Sequence, residues 1–303
     1  MRRLLLALIV LVALVAAGFW FVTAPRSLAE ADLPDHTPDL NNGETLFWAG
    51  GCAACHAAPG AGDQDLTKLG GGAELASPFG PFSVPNISPD PTTGIGDWST
   101  LDFVNALRFG VSPEGRHYYP SFPYASYQHI RLEDLIDLKA FLDTLPAVDN
   151  AVAPTALSFP FSVRRGIGLW KRLYANDPGF TPDPALSEEE AHGAYLVRGP
   201  GHCGECHTPR TVFFGMDQSR WLAGAPLLEG DGRVPNITPS QDGIESWSAS
   251  DIAYYLESGF TPDYDVVGGA MAPVQKNWSH VPAADRDAVA AYLKAVAPQP
   301  SAN

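Results

Sequence analysis

The sequence predicts an all-α chain, with two tandem helical lobes behind one N-terminal apolar helix. Three observations carry this expectation. The chain superimposes on itself when shifted by roughly 150 positions. Each half closes on a stretch with helical periodicity, and little alternating strand pattern appears anywhere.

At the N-terminus, Arg2 and Arg3 precede an apolar run from Leu4 to Val22. That run is close to the ~20 residues a helix needs to cross a bilayer and longer than the usual core of a signal peptide. It reads as an uncleaved anchor within residues 1–25. The positive-inside bias then puts the N-terminus in the cytoplasm and the rest outside, which in a bacterium means an inner-membrane protein facing the periplasm. Ser27-Leu28-Ala29, small at its first and last positions, also suits removal of a leader, which is the alternative.

All four cysteines fall in two copies of Cys-x-x-Cys-His, Cys52 to His56 and Cys203 to His207. This is the attachment signature of a c-type haem. Two cysteines three positions apart on a helical turn face one side, so both sulfurs reach the porphyrin edge as thioethers. The next residue, His56 or His207, then ligates iron through a neutral imidazole. A zinc site needs ligand pairs that close a tetrahedron, and a dithiol redox motif does not require a following histidine twice. Two covalent haems, held by Cys52, Cys55, Cys203 and Cys206, are expected.

The repeat continues after each motif. Val84 opens VPNISPDPTTGIGDWS and Val234 opens VPNITPSQDGIESWS. Asn86 and Asn236 suit either a haem propionate or turn backbone, and Trp98 and Trp247 suit either the haem edge or packing. Each half begins with a helix: Asp39 or Asn41 can cap the first, and Ser187 with Glu190 forms a capping box for the second. The closing helices carry Leu135, Leu138, Phe141 and Leu142, or Val289, Tyr292, Leu293 and Val296, on one face. Between them, Pro78 to Pro91 and Gly224 to Pro239 are rich in Pro and Gly, so the cofactor would organise the backbone there. The lobes are set at 38–149 and 187–299, with 150–186 between them.

An electron-transfer haem takes a second axial ligand, and methionine raises its potential relative to histidine. Met271, in a loop before the last helix, is the expected ligand of the second haem, whereas Met216 reads as packing. The matching stretch of the first half has Phe122 in place of a methionine. His117 and His129 are the candidate donors there, and an open site is the third option.

The ordered motifs (CxxCH, VPNI[ST]P, GI-x-x-WS, GVSPxGRHYYPxFPY and a closing helix ending in LP) resemble the cytochrome c subunits of bacterial membrane-bound alcohol and gluconate dehydrogenases and their dihaem relatives. The resemblance covers roughly 38–299. It implies two class I cytochrome c-like domains, and a subunit that accepts electrons from a periplasmic dehydrogenase and passes them to ubiquinone, another cytochrome or a terminal oxidase. Two departures stand out: those subunits carry three haems, and Phe122 replaces their ligand methionine.

Charge excludes one class of partner. The net charge is −15, from 34 acidic and 19 basic residues, so nucleic acid is not expected to bind. Against that acidity, Leu157 to Tyr174 concentrates Arg164, Arg165, Lys171 and Arg172 among aromatics. It reads as a docking strip, a strap between the lobes, or a membrane-surface contact. The function expected is a relay and not a catalyst by itself. The rival is a dihaem enzyme with an open first haem, of peroxidase or thiosulfate dehydrogenase type.

Overall fold

A computed structural model describes residues 1–227 and 232–302. The part of the Gly224 to Pro239 stretch at 228–231 lies outside the described residues. Twelve helices follow in chain order: α1 (Arg2–Val22), α2 (Leu40–Ala49), α3 (Cys52–His56), α4 (Thr100–Phe109), α5 (Tyr124–Tyr127), α6 (Leu132–Leu142), α7 (Ile167–Tyr174), α8 (Glu188–Arg198), α9 (Gly204–His207), α10 (Ala249–Ser258), α11 (Met271–Trp278) and α12 (Ala283–Ala295). Helices α2 to α6 recur in the same order as α8 to α12. Among the described residues the strands are two antiparallel pairs of two residues each, β1 (Glu74–Leu75) with β2 (Phe82–Ser83) and β3 (Ala225–Pro226) with β4 (Arg233–Val234).

In each half the first and last helices cross at a glycine. A Cβ on Gly43 would strike the Asp137 carbonyl and Phe141, and one on Gly193 would strike the Ala288 carbonyl and Tyr292. Only hydrogen fits between the two backbones at these points. Asp39 caps α2 by accepting from the Asn41 amide at 2.9 Å, and Ser187 and Glu190 form the capping box of α8. Two further capping boxes, Ser99 with Asp102 and Ser248 with Asp251, start α4 and α10. These helices end at Gly110 and Gly259, whose φ of 59° and 80° suit glycine.

One apolar core runs through both halves, from Phe47, Leu135 and Val104 to Val197, Trp278 and Leu293. Across the boundary Trp48 stacks on His280 with centroids 4.1 Å apart, and Arg131 lies over the Tyr195 ring at 4.4 Å. Tyr195 also donates to Asp134, and Lys276 pairs with Asp63.

Helix α1 is long and apolar enough to cross a membrane, with a mean hydropathy of 2.9, and none of it is buried. The basic stretch before and through α7 does act as a strap. Arg164 lies over Tyr119, Trp170 donates to the Phe213 carbonyl at 2.9 Å, and Lys171 donates to the carbonyls of Phe109 and Gly110 at 2.6 and 2.7 Å. Burial pulls the Lys171 ammonium pKa down to about 7.

Candidate functional site: the duplicated Cys-x-x-Cys-His centre

Each motif follows the end of the helix that opens its half. The residue before the first cysteine turns with positive φ, 60° at Gly51 and 37° at His202. That turn separates α2 from α3, so the motif starts a helical turn of its own. The four thiols form no disulfide. Burial, with the neighbouring cysteine adding to it, pushes the Cys52 and Cys203 thiols up to about 12.

The histidines are braced identically. His56 Nδ1 lies 2.8 Å from the Pro85 carbonyl, and His207 Nδ1 lies 2.8 Å from the Pro235 carbonyl. A carbonyl only accepts, so Nδ1 carries the hydrogen and Nε2 keeps its lone pair for a metal. Burial lowers both imidazole pKa values, against the proline carbonyl, and so favours the neutral ligand form. The loop then returns to the motif's own backbone, since Gly71 N–H donates to the His56 carbonyl at 2.7 Å and Gly224 N–H to the His207 carbonyl at 2.8 Å. Both glycines have positive φ, 66° and 78°, and a Cβ on either would collide with the VPN backbone. The sequence reading missed this brace, although its signal was present as a Gly in each loop before the repeated Val-Pro-Asn.

Asn86 and Asn236 hold that segment in place. Asn86 donates to the Val148 carbonyl at 2.7 Å and accepts from Ser88 N–H, and Asn236 donates to the Gln299 carbonyl at 2.8 Å and accepts from Thr238 N–H. The asparagines thus serve the loop backbone and tie it to the chain beyond each closing helix. Trp98 and Trp247 pack against the core, Trp247 with its ring edge on Tyr255.

Burial, then Glu205 and to a lesser degree Cys55, raises the pKa of the Cys206 thiol, against Arg210. Tyr127 is half-buried, and its ring edge meets His202 with centroids 5.5 Å apart. Glu205, inside the second motif, accepts from Ser126 of α5 at 2.8 Å and from Arg210 at 2.7 Å. The first half therefore fixes the orientation of the second half's motif.

Met271 is the first residue of α11 and lies in a helix, not in a loop. Pro273 fits two positions further on, because N–H groups of a first helical turn have no intrahelical partner. Phe122 occupies the corresponding place, edge-on to Tyr118 and Tyr127 at 5.7 Å each. His117 is 4% exposed and its Nε2 lies 2.9 Å from the Thr23 carbonyl, beneath the end of α1. Side chains alternate along this extended segment, so His117 and Tyr119 face the strap while Tyr118 faces Phe122. His129 Nδ1 stands 3.9 Å from Asp177 in the segment between the halves, and Met216 is buried in the core. Neither histidine hydrogen-bonds to a residue of the first motif.

A thioether-forming cysteine pair, a tautomer-fixed histidine and a glycine-tight loop, present twice, fit two haem groups and leave each one iron-ligating nitrogen. The family model for cytochrome c matches residues 40–146. A diheme cytochrome c-type protein of Cereibacter sphaeroides is 54% identical over 98% of this chain and 99% of its own length. The chain belongs to the cytochrome c family. It is a dihaem cytochrome c with two covalently bound haems, and its business is electron transfer. It is also similar to the fructose dehydrogenase cytochrome subunit of Gluconobacter japonicus, 37% identical over 86% of this chain. A third relative is the cytochrome c subunit of a quinone-dependent alcohol dehydrogenase of Gluconobacter oxydans, 36% identical over 85%. The cytochrome c spans 53% and 54% of the lengths of those two subunits.

Proposed function

We propose that this cytochrome is a membrane-anchored relay built of two tandem cytochrome c domains. In this reading it takes electrons singly from a dehydrogenase on the periplasmic side of the inner membrane and passes them to ubiquinone or another cytochrome. The observation that carries it is the pair of identically braced histidines, one in each motif, with Ser126 of the first half bonded to Glu205 inside the second motif. Two haems in succession let an electron enter at one and leave from the other. The likeness to fructose and alcohol dehydrogenase cytochrome subunits supports a dehydrogenase as donor, and α1 with Arg2 and Arg3 before it supports the anchor.

The residues assigned to the haems are Cys52, Cys55 and His56 for the first and Cys203, Cys206 and His207 for the second, with Met271 as the second haem's other axial ligand. Bound there, haem supplies a one-electron couple. The protein supplies the neutral imidazole, the fixed tautomer and the apolar surround that set its potential. One observation favours a second reading. Phe122 stands in the place matching Met271, and His117 turns its Nε2 to the Thr23 carbonyl beneath α1. This supports a first haem without a protein sixth ligand, as an enzyme acting on peroxide or thiosulfate would need.

Protein-film voltammetry of the full chain separates the two readings. A relay gives reversible one-electron waves that neither peroxide nor thiosulfate alters. A sustained catalytic current with either substrate refutes the relay and establishes the enzyme.

A further inference from the structure

The end of α1 is welded to the first half. Arg165 donates to the Trp20 carbonyl and, at 3.0 Å, to the Thr23 hydroxyl, and lies over the Trp20 ring at 4.0 Å. Arg172 donates to the Val22 carbonyl at 2.6 Å, and His117 donates to that of Thr23 at 2.9 Å. A helix's last carbonyls lack intrahelical partners and carry the negative end of its dipole, so guanidinium groups suit them. Gly168 completes the joint, because a Cβ there would stand 2.6 Å from the Thr23 carbonyl oxygen. Arg165, Gly168 and Arg172 recur at helical spacing and form one face turned to α1.

One step round the same helix are Leu169 and Leu173, four positions apart and solvent-facing, with Leu173 68% exposed. Trp170 ties this face to a loop at 211–214 through the Phe213 carbonyl, and Tyr174 ties it again through Thr211 at 2.8 Å. Phe213 is 64% exposed and Val212 87% exposed. The apolar surface continues through Phe214, which meets Phe79 at 4.8 Å, to Phe161, which meets the same ring at 4.7 Å.

Resting on the reading of α1 as a membrane span, we propose that α7 and the 211–214 loop form a seat that dips into the outer headgroup region of the bilayer. The haem-bearing body is then held at one fixed tilt rather than swinging on a tether. A helix of 21 residues covers the bilayer's hydrocarbon thickness at about 1.5 Å per residue. Its exit at Val22 and Thr23 therefore sits at headgroup level, and whatever is welded to that exit sits there too. Leucine, phenylalanine and tryptophan interleaved with Arg164, Arg165 and Arg172 are the composition that settles in this layer, the cations favouring anionic lipid. In a chain of net charge −15, this is where the sign is locally reversed.

The test uses the full haem-loaded chain in stacked bilayers of phosphatidylcholine and phosphatidylglycerol, with electron paramagnetic resonance of the ferric haems recorded as the stack is rotated in the field. The seat predicts signal intensities that change strongly with angle. It also predicts that the combined Leu169→Glu, Leu173→Glu, Phe213→Glu variant loses most of that variation while keeping its Soret band and resisting extraction by carbonate. Isotropic spectra from an inserted wild-type chain overturn the seat and leave the anchor standing. Extraction of the wild type by carbonate overturns the anchor itself. An inserted variant that stays fully oriented, or one that stays oriented and instead loses a co-purifying protein, also overturns the seat, in the second case in favour of a protein partner.

Discussion

Replacing Gly193 with alanine tests the duplicated helix crossing on which each haem motif is mounted. Gly193 packs against the Ala288 backbone of α12, and an added Cβ would stand 2.9 Å from Tyr292 Cβ as well as against the Ala288 carbonyl. Neither neighbour is the free end of a flexible side chain, so α8 and α12 must move apart. Overpacking of this kind costs about 1–3 kcal/mol, and the backbone neighbours place it at about 3. Alanine's better helix propensity returns about 1 kcal/mol, which leaves a net loss of about 2. For a chain of this size each kcal/mol moves the melting temperature by about 2–4 °C, so a fall of about 4–8 °C is expected. Circular dichroism melting of the ferric protein, with the Soret band followed in parallel, measures it. Gly62→Ala, which meets only ordinary contacts at Gln64, serves as the control and should change little. A Gly193→Ala protein that melts higher than wild type, as helix propensity alone would give, refutes the crossing.

Met271→Ala should abolish the charge-transfer band of methionine-ligated ferric haem and lower one couple, leaving the other in place. Phe122→Met should add such a band and raise the first couple; optical spectra with potentiometry check both. Asn236→Ala removes the amide that joins Gln299 to the Thr238 turn, at a cost of about 1–3 kcal/mol in thermal melting. Burial alone would raise the pKa of the Asp137 carboxyl. The Asn42 amide, the Asp39 N–H and His36 outweigh it and hold that pKa below the usual range. The unfolded chain therefore binds this proton first as pH falls, so the contribution is complete above pH about 4 and is lost below it. Urea unfolding between pH 5 and 3 should show this loss in wild type and a weaker slope in Asp137→Asn.

Spacing alone disclosed the two motifs, the repeat, the opening caps at Asp39 and Ser187 and the closing helices, because each of these is local chemistry repeated twice. The capping boxes at Ser99 and Ser248 were equally local, with Asp as the third residue, and went unread. The histidine braces join residues 29 and 28 positions apart, His56 to Pro85 and His207 to Pro235, so only folding reveals them. The engagement of His117 depends on where α1 ends, a contact across 94 positions that no window of sequence contains. Met271, expected in a loop before the last helix, instead opens α11, where Pro273 in the first helical turn is compatible with the helix that forms.

The measurement that bears most directly on two haem centres acting in succession combines the intact mass of the purified full chain with its spectroelectrochemical titration. The account predicts the polypeptide plus two haem masses and two one-electron couples, the higher of which disappears from its position in Met271→Ala. A mass of bare or singly modified polypeptide, or a titration with a single couple, contradicts it.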